Sequence, residues 1–453
     1  MKETEQIDSE QSINPLAQKF NIKLLLQFAF PTIFMMVFMG LYTIVDTIFV
    51  ARLVNTNALS AINIVCPVIN IIVGLGTMLA TGGNAIISRK MGNNNEQEVH
   101  EDFSLIILTG LTIGVLIAIL GLLYIESIIK VLGASDLLFP YCKDYLKILL
   151  IFTPASILQV LFQNLFVTAG KPSLGFWLVV FAGCTNALFD YVFIAILKMG
   201  IAGAALATSM GYMIPTVAGC IFFLQNKGGL HLCKPKMRLS ILCESCFNGS
   251  SEMVSQLATA VTTFLFNATM LKLLGEDGVA AITIIIYSQF LLTTLYIGFS
   301  MGVAPIIGYN YGSRNINQLR SVFQLCIGFV FTVSILVFLI SFLGGEYIVR
   351  TFAKDSDTVY SIAQNGFAIF AFSFLFSGLN IFACAMFTAL SNGKISAILS
   401  FLRTFGFITI GLIVLPKILN INGIWLAIPV AEFLTFLLSA TVLVIYKKQY
   451  RYI

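Results

Sequence analysis

Long apolar stretches and short polar segments alternate along the whole chain. Twelve apolar runs can be counted, separated by segments with charged residues, Asn, Pro or Gly. A helix needs about 20 apolar residues to cross a bilayer, so each run predicts one membrane-spanning helix. The predicted spans lie at 24–50, 57–88, 103–128, 138–168, 173–197, 200–226, 246–274, 279–309, 319–344, 358–390, 394–416 and 420–446.

The longest polar segment between two spans divides the chain into two halves of six spans. It carries Lys227, Lys234, Lys236 and Arg238 and is interpreted as a cytoplasmic linker. The predicted organisation is an N-tail (1–23), an N-lobe (24–226), a linker (227–245), a C-lobe (246–446) and a C-tail (447–453).

The two halves resemble each other at a constant offset of 220 residues. Residues 58–64 align with 278–284, Gly92 aligns with Gly312, and Gly203 aligns with Gly423. Six spans per half is an even number, so the repeats should run parallel about an axis along the membrane normal. Parallel repeats are a known transporter architecture, with substrate handled between the halves. The expected fold is therefore all-α, with twelve transmembrane helices in two pseudo-repeats.

Composition agrees with an integral membrane protein. Apolar residues make up 58% of the chain and charged residues 10%, against roughly a quarter charged in soluble domains. This excludes a soluble enzyme, a disordered chain and a secreted disulfide scaffold. The net charge is +5, but the basic residues are scattered between spans, which argues against nucleic acid as a partner.

The distribution of basic residues also predicts orientation. With the termini inside, 16 of the 26 Lys and Arg lie in inner segments and 9 at outer ones. This excess favours a cell-membrane protein with both termini cytoplasmic. The first 23 residues have no apolar h-region, so no signal peptide is predicted.

The nine cysteines mostly lie in apolar runs and are interpreted as reduced thiols. One group, His231, Cys233, Cys243 and Cys246, has zinc-ligand chemistry but loose spacing, so a metal site is the less favoured alternative.

Five ionisable residues fall clearly inside spans: Asp46, Asp190, Glu252, Arg403 and Glu432. A charge at membrane depth is costly and should face a cavity or a partner.

Four polar residues should gather near the outer end of the N-lobe. Asp46, Asp190 and Thr208 all lie within about 12 Å of the outer end of their spans, at 1.5 Å per residue, and Asn186 lies four residues before Asp190 on the same helix face. Carboxylate, amide and hydroxyl oxygens suit a hard cation, and two close carboxylates can instead share a proton. The cluster is a candidate coupling-ion site, and a structural hydrogen-bond network is the alternative.

The C-lobe carries a different set. Glu252, Arg403 and Glu432 are expected to neutralise one another, which favours a structural role for this cluster.

The order and spacing of several motifs resemble the MATE family (multidrug and toxic compound extrusion). They include Pro31 fifteen residues before Asp46 in Val-Asp-Thr-Ile-Phe-Val, Asn186-Ala-Leu-Phe-Asp190, and the run from Gly200 to Thr208. The second half adds Gly312-Ser-Arg-Asn and Asn422-Gly-Ile-Trp-Leu-Ala.

The resemblance implies two six-helix bundles around a V-shaped cleft. It implies export of amphipathic, often cationic, organic compounds in exchange for Na+ or H+. Asp46, Asn186, Asp190 and Thr208 match the N-lobe cation site of the DinF-like branch, with the carbonyl of Ala204 as a further ligand. No cofactor is implied beyond the coupling ion, and no metal beyond Na+ at these residues. The expected partners are small amphipathic organic compounds and membrane lipid, and a monomer is expected.

Two departures from the family pattern affect the site. Span ten has no acidic residue, and Glu252 is out of register with the acid that another branch has in span seven, which puts a C-lobe ion site in doubt. Some multidrug members have an acid in span four, where this chain has Gln163 and Asn164. These two residues and Tyr42 are predicted to line the substrate cavity, with interhelical packing as the alternative for Tyr42.

Two other functions remain as alternatives. A lipid-linked precursor flippase should have a strongly basic cavity, whereas Arg403 is the single deep cation. An intramembrane enzyme needs a catalytic constellation at membrane depth. Both histidines fall in predicted loops, and no hydrolase, metalloprotease or P-loop motif is present. The chain is therefore predicted not to be an enzyme.

Overall fold

A computed structural model describes residues 14–93, 95–226, 229–352 and 356–452 of the chain. Within these residues every regular element is a helix. Ten helices are long and apolar enough to cross a membrane, and counting the bent pair Phe139–Ile151 and Thr153–Thr168 as one span gives eleven.

The twelfth span is hidden in one very long helix. Leu239–Gly312 has 74 residues, about 110 Å at 1.5 Å per residue, against a bilayer core of about 30 Å. Gly275 interrupts it with φ 67° and ψ −152°, a conformation that essentially only glycine adopts. The chain reverses there, so residues 239–274 and 276–312 are spans seven and eight, and the prediction of twelve spans is confirmed.

The remaining spans follow in chain order. Spans one, two and three are Ile22–Leu53, Thr56–Gly92 and Glu96–Leu123. Span four consists of Phe139–Ile151 and Thr153–Thr168, and span five consists of Pro172–Asp190 and the π-helix Tyr191–Ile196. Span six is Gly200–Gln225. Span nine is Ile316–Phe352, and span ten consists of Asp357–Phe370 and Phe374–Ala389. Span eleven consists of Gly393–Phe401, the π-helix Leu402–Gly406 and Phe407–Leu419. Span twelve is Ile421–Tyr450. A bend of 55° divides span four just before Pro154, which lacks the N–H of a regular helix residue.

Some helix ends differ from the predicted ones. Span seven starts at Leu239, inside the segment predicted as linker, because the helix extends beyond its apolar part and holds Glu244 in a salt bridge. Span three ends at Leu123, and a separate helix, Ile125–Val131, follows. The last helix continues to Tyr450 in the predicted C-tail. Residues 1–13 of the N-tail and 227–228 of the linker lie outside the described residues.

The spans form two lobes, each with its own apolar core. One core lies within spans one to six and includes Leu161 and Phe162, and another lies within the second half and includes Phe367 and Trp425. A third core joins the halves at the end of the molecule that carries the termini, where Phe28 packs with Phe299 and Phe387. The lobes are therefore joined at this end, which is called the fused end below.

Glycines let the two lobes approach closely at this fused end. A Cβ on Gly249 of span seven would clash with the carbonyl oxygen of Met78 in span two, and one on Gly82 would clash with that of Ser245. A Cβ on Gly312 would likewise clash with the carbonyl oxygen of Arg89. Arg89 also bonds Glu244 across the lobes at 2.8 Å. We call these backbone contacts the glycine seam, and it closes one end of the cleft.

The linker is held on the N-lobe by buried charge. Asp102, fully buried at the start of span three, bonds the ammonium group of Lys90 at 2.5 Å and the guanidinium of Arg238 at 3.1 Å. Arg238 also bonds Glu101 at 2.5 Å. The last residue before span seven is therefore fixed to the other lobe.

Replacing Asp102 by Asn should lower the stability of the protein. The change replaces the buried carboxylate that Lys90 and Arg238 share by a neutral amide, and hydrogen bonds to charged groups are worth about 1.5–3 kcal/mol. Each cation keeps its ion pair with Glu98 or Glu101. We expect a lower unfolding temperature in detergent and faster proteolysis of the linker. The matched control is Glu126→Gln, which removes an exposed ion pair with Lys143 that lowers the pKa of Glu126 and should change neither. Equal unfolding temperatures for the two variants would contradict this.

Candidate functional site

The centre of the candidate site lies where span five leaves regular α-helical geometry. Asp190 is the last residue of the α-helix Pro172–Asp190, and the π-helix Tyr191–Ile196 follows directly. Asn186 lies one turn earlier on the same face, and both side chains are buried. Single π-helical turns occur frequently at functional sites because they reorient side chains within a helix.

Span one supplies the second carboxylate. Asp46 interacts directly with the side chains of Asp190 and Asn186. Both carboxylate oxygens of Asp190 and Oδ1 of Asp46 are enclosed and have no hydrogen-bond donor among the described residues. Two carboxylates side by side can bond each other only through a shared proton or cation. Three carboxylate oxygens are therefore buried without a hydrogen-bond donor among the described residues.

Span six places Thr208 at the same level. Spans five and six are antiparallel neighbours, and a Cβ on Gly211 would lie 3.5 Å from Cβ of Asn186. One turn outward from Asn186 is Asp190, and one turn outward from Gly211 is Thr208. The Thr208 hydroxyl donates to the carbonyl of Ala204 at 3.0 Å, which leaves its own oxygen free to accept or coordinate. Asp46, Asn186 and Asp190 are thus in contact, and Thr208, bonded to Ala204, lies at the level of Asp190 on the neighbouring span.

Three tyrosines surround the acidic pair, and the sequence analysis identified only one. Tyr42, one turn before Asp46, is the predicted one; Tyr145 and Tyr212 are also electrostatic neighbours of Asp46. Tyr212 lies four residues after Thr208 on the same helix face, a spacing that could have indicated it. Tyr145 lies in the outer part of span four, before the bend, and no sequence motif marks it.

Gln163 and Asn164 lie in the inner part of span four, in a helix whose side chains are buried almost throughout. The amide of Asn164 donates to the carbonyl of Val160 at 3.1 Å, within its own helix. Their assignment to the substrate cavity remains a prediction.

A groove on the C-lobe was not found from the sequence. It has a volume of about 810 Å³ and is lined by Phe264, Asn267, Leu271, Glu276, Val279 and Thr283, among others. Its lining is mainly apolar, the side-chain oxygen of Asn267 is enclosed without a donor among the described residues, and Glu276 is exposed. The groove falls in the size range of pockets for small organic molecules.

The groove lies on the outward continuation of the span-seven face that meets the N-lobe. Gly249 and Met253 of span seven contact span two near the fused end, and a helix repeat of 3.6 residues carries the same face outward to Phe264 and Leu271. Phe264 is 70% exposed.

The C-lobe charges are only partly paired. Arg403, carried by the π-helix Leu402–Gly406, donates from Nε to Oε1 of Glu432 at 3.0 Å. Glu252 forms no salt bridge or hydrogen bond within the described part of the chain. A direct ion pair therefore joins only Arg403 and Glu432, while Glu252 interacts with Arg403 electrostatically without a salt bridge among the described residues; mutual neutralisation of all three charges remains a prediction.

Two helical lobes with buried acids at membrane depth are typical of a membrane transporter. The sequence profile of the MatE family matches the chain twice, over residues 31–192 and 253–414. The chain belongs to the MATE family of transporters. The two matches confirm the internal repeat that the sequence indicated.

Curated relatives and solved structures agree with this assignment. The chain is similar to the "Multidrug export protein MepA" of Staphylococcus haemolyticus (strain JCSC1435), with 25% identity over 417 residues, covering 90% of each chain. It is 22% identical over 428 residues to the MepA of Staphylococcus aureus (strain MRSA252), covering 94% and 93%.

The fold matches that of a multidrug resistance MATE family transporter of the MOP superfamily in its outward-facing conformation. That structure has a TM-score of 0.88 at 21% identity and covers 96% of this chain and 98% of that one. A MATE crystallised in a straight conformation gives a TM-score of 0.89, again at 21% identity, covering 96% and 98%.

Proposed function

We propose that this protein is an antiporter that exports small amphipathic organic cations across the cell membrane in exchange for entering Na+ or H+. The observation that carries the proposal is the contact between Asp46 and Asp190, in which both carboxylate oxygens of Asp190 and Oδ1 of Asp46 are enclosed without a hydrogen-bond donor among the described residues. Burying an unpaired carboxylate is costly, and burying two side by side is more so. The pair therefore supports a binding site for a positive ion that comes and goes.

The cargo class is supported by the wall of the cleft. The groove of about 810 Å³ offers apolar surface, the side-chain amide oxygen of Asn267 and the carboxylate of Glu276. Neither Lys nor Arg lines it among the described residues. An amphipathic cation complements this surface in both polarity and charge, and the curated relatives named above are multidrug export proteins.

Coupling follows from the position of the acids between spans. A cation on Asp46 and Asp190 neutralises them and changes the packing of spans one, five and six, which form one wall of the cleft. Ion binding and cargo binding then alter each other's affinity, which is a reciprocal thermodynamic requirement. The lobes rock to the opposite side, release the ion and take up new cargo.

A flux measurement tests the proposal and identifies the coupling ion. Purified protein is reconstituted in liposomes loaded with a fluorescent organic cation, and Na+ and H+ gradients are imposed separately. We expect dye movement under one gradient, abolished by an ionophore for that ion and absent from protein-free liposomes. No movement under either gradient, with folded protein, would contradict antiport of organic cations.

A further inference from the structure

A second pocket lies near the fused end, between the linker and the first turns of span three. Span three starts four residues after Gly92, whose backbone contacts that of Tyr309 in span eight. The pocket has a volume of about 520 Å³, and no step of the proposed transport cycle uses it. Its charged and hydrogen-bonding nitrogen and oxygen groups come from Gln97, His100, Glu101, His231, Lys234 and Lys236.

The two histidines of the chain meet in this pocket. Their rings stack with centroids 3.9 Å apart. The backbone N–H of His231 donates to Nδ1 of His100 at 3.4 Å, and Nδ1 of His231 donates to the carbonyl oxygen of Gly229 at 2.9 Å, because a carbonyl can only accept. Each ring thus uses Nδ1 within the fold, and each Nε2 is left without a hydrogen-bond partner in the described ranges.

The pocket has an excess of positive charge. The carboxylate in its lining is already engaged, since Oε2 of Glu101 accepts from Arg238 at 2.5 Å and Oε1 accepts from the amide of Gln97 at 3.5 Å. Lys234 and Lys236 are exposed, and neither forms a salt bridge with another residue that the structure describes. An anion in this pocket would therefore meet two ammonium groups that have no competing partner there.

The pocket lies at the depth of the lipid headgroups. The apolar run of span three begins at Phe103, three residues after His100, which is about 4.5 Å along the helix. Two hydrogen bonds hold the linker at this level: the N–H of Leu232 donates to the carbonyl of Phe223 at 2.8 Å, and the N–H of Cys233 donates to Oγ of Ser104 at 2.9 Å. Basic pockets beside membrane helices on the cytoplasmic side, where the linker is predicted to lie, bind the phosphate headgroups of anionic lipids.

We propose that this pocket binds a phosphate group, supplied by an anionic lipid headgroup or by free phosphate. A phosphate monoester carries roughly −1.5 to −2 charge at pH 7, which Lys234 and Lys236 neutralise. Nε2 of His100 and Nε2 of His231 donate to the phosphate oxygens. Because Nδ1 holds the proton of a neutral His231, its Nε2 gains a second proton from solvent or from the phosphate monoanion. The bound group connects the linker to span three, and the site is independent of the proposed antiport.

Nuclear magnetic resonance of the histidine rings tests the site directly. The chain has two histidines and both line the pocket, so ring-¹⁵N histidine labelling reports on this site alone. Protein purified without a histidine tag is placed in phosphatidylcholine nanodiscs at pH 7, and His231→Gln assigns the signals. On phosphate binding we expect both Nε2 signals to shift, with that of His231 moving towards the position of a protonated imidazole.

Two titrations distinguish the sources of the phosphate group. In one, inorganic phosphate is added to the phosphatidylcholine nanodiscs, and in the other, phosphatidic acid is included in the nanodiscs without free phosphate. Shifts with phosphatidic acid alone would assign the pocket to a lipid headgroup, and shifts with inorganic phosphate would assign it to free phosphate. Cholesteryl hemisuccinate, a carboxylate lipid used at matched surface charge, should shift neither signal.

Two pairs of lysine substitutions separate this pocket from a general positive surface. Lys234→Gln with Lys236→Gln should weaken binding about 25-fold, since each lysine near a membrane surface is worth about fivefold in affinity. The matched control is Lys447→Gln with Lys448→Gln, which removes the same charge from the last helix, at the end that carries the termini. It should leave the affinity unchanged.

Three results would overturn the proposal. The first is no shift of either histidine signal with phosphate or phosphatidic acid. The second is an equal shift with the carboxylate lipid, and the third is an equal loss of affinity in the two lysine pairs, since both would show a general attraction of anions. The flux measurement tests antiport separately, so failure of either proposal leaves the other standing.

Discussion

Replacing Asp190 by Asn should reduce gradient-driven transport about a hundredfold while the protein stays folded. The magnitude is the upper part of the range for coupling between two sites, about 1–3 kcal/mol or 5- to 150-fold. Asn has nearly the same shape as Asp, so packing within span five is kept. It has no charge, however, so the enclosed pair can no longer bind a cation with two carboxylates.

The folded state should not suffer from this substitution. Asp190 is fully buried beside Asp46 and neither of its oxygens receives a donor among the described residues. In the Asp190→Asn variant the new side-chain amide can donate to Asp46, which replaces a repulsion by a hydrogen bond. We therefore expect an unfolding temperature equal to or above that of wild type in cation-free buffer.

Flux in liposomes and thermal unfolding together check this prediction. The matched control is Asp144→Asn, an exposed aspartate of the same lobe, which should keep full transport. Wild-type flux in the Asp190→Asn variant would show that coupling uses another group. Lost flux together with a much lower unfolding temperature would show a structural role for Asp190 instead.

The spans could be predicted from the sequence because the bilayer sets their length. The break at Gly275 could also be predicted, because charged residues on both sides of it end the apolar runs. The start of span seven could not be predicted from hydropathy, because a helix can continue into water beyond its apolar part. At Leu239–Glu244 it is stabilised by contacts with the N-lobe that hydropathy does not record.

The acidic pair could also be predicted, because a charged side chain inside a membrane is costly and usually has a functional role. The unpaired state of Glu252 could not. Whether Glu252 and Arg403 form an ion pair depends on how spans seven and eleven pack, which hydropathy does not record. Tyr145 was missed because no sequence motif marks it.

Adding a methyl group at Gly249 should shift the protein away from the closed conformation of the fused end. A Cβ there would clash with backbone atoms of Met78 and Gly82 in the opposite lobe. Backbone atoms cannot move aside as a side chain can, so the seam has to separate. Overpacking typically costs about 1–3 kcal/mol, which changes the ratio of two conformations roughly 5- to 150-fold.

Hydrogen–deuterium exchange measures this shift without added labels. In Gly249→Ala we expect faster exchange in peptides from 78–92 and 245–256, which form the seam, and slower exchange at the outer ends of spans one and two. Transport should slow as well, because the cycle has to pass through the closed seam.

Two other glycines provide matched controls. Gly328 faces open space, so Gly328→Ala should change neither exchange nor transport. Gly110 contacts Leu161 inside the N-lobe, so Gly110→Ala should raise exchange within that lobe rather than at the seam. Exchange that rises equally through both lobes of Gly249→Ala would mean general destabilisation and contradict a gating role. Unchanged exchange with normal transport would show that the lobes tolerate the methyl group without separating. Faster exchange confined to the seam, together with slower transport, would show that Gly249 is needed for the lobes to close there.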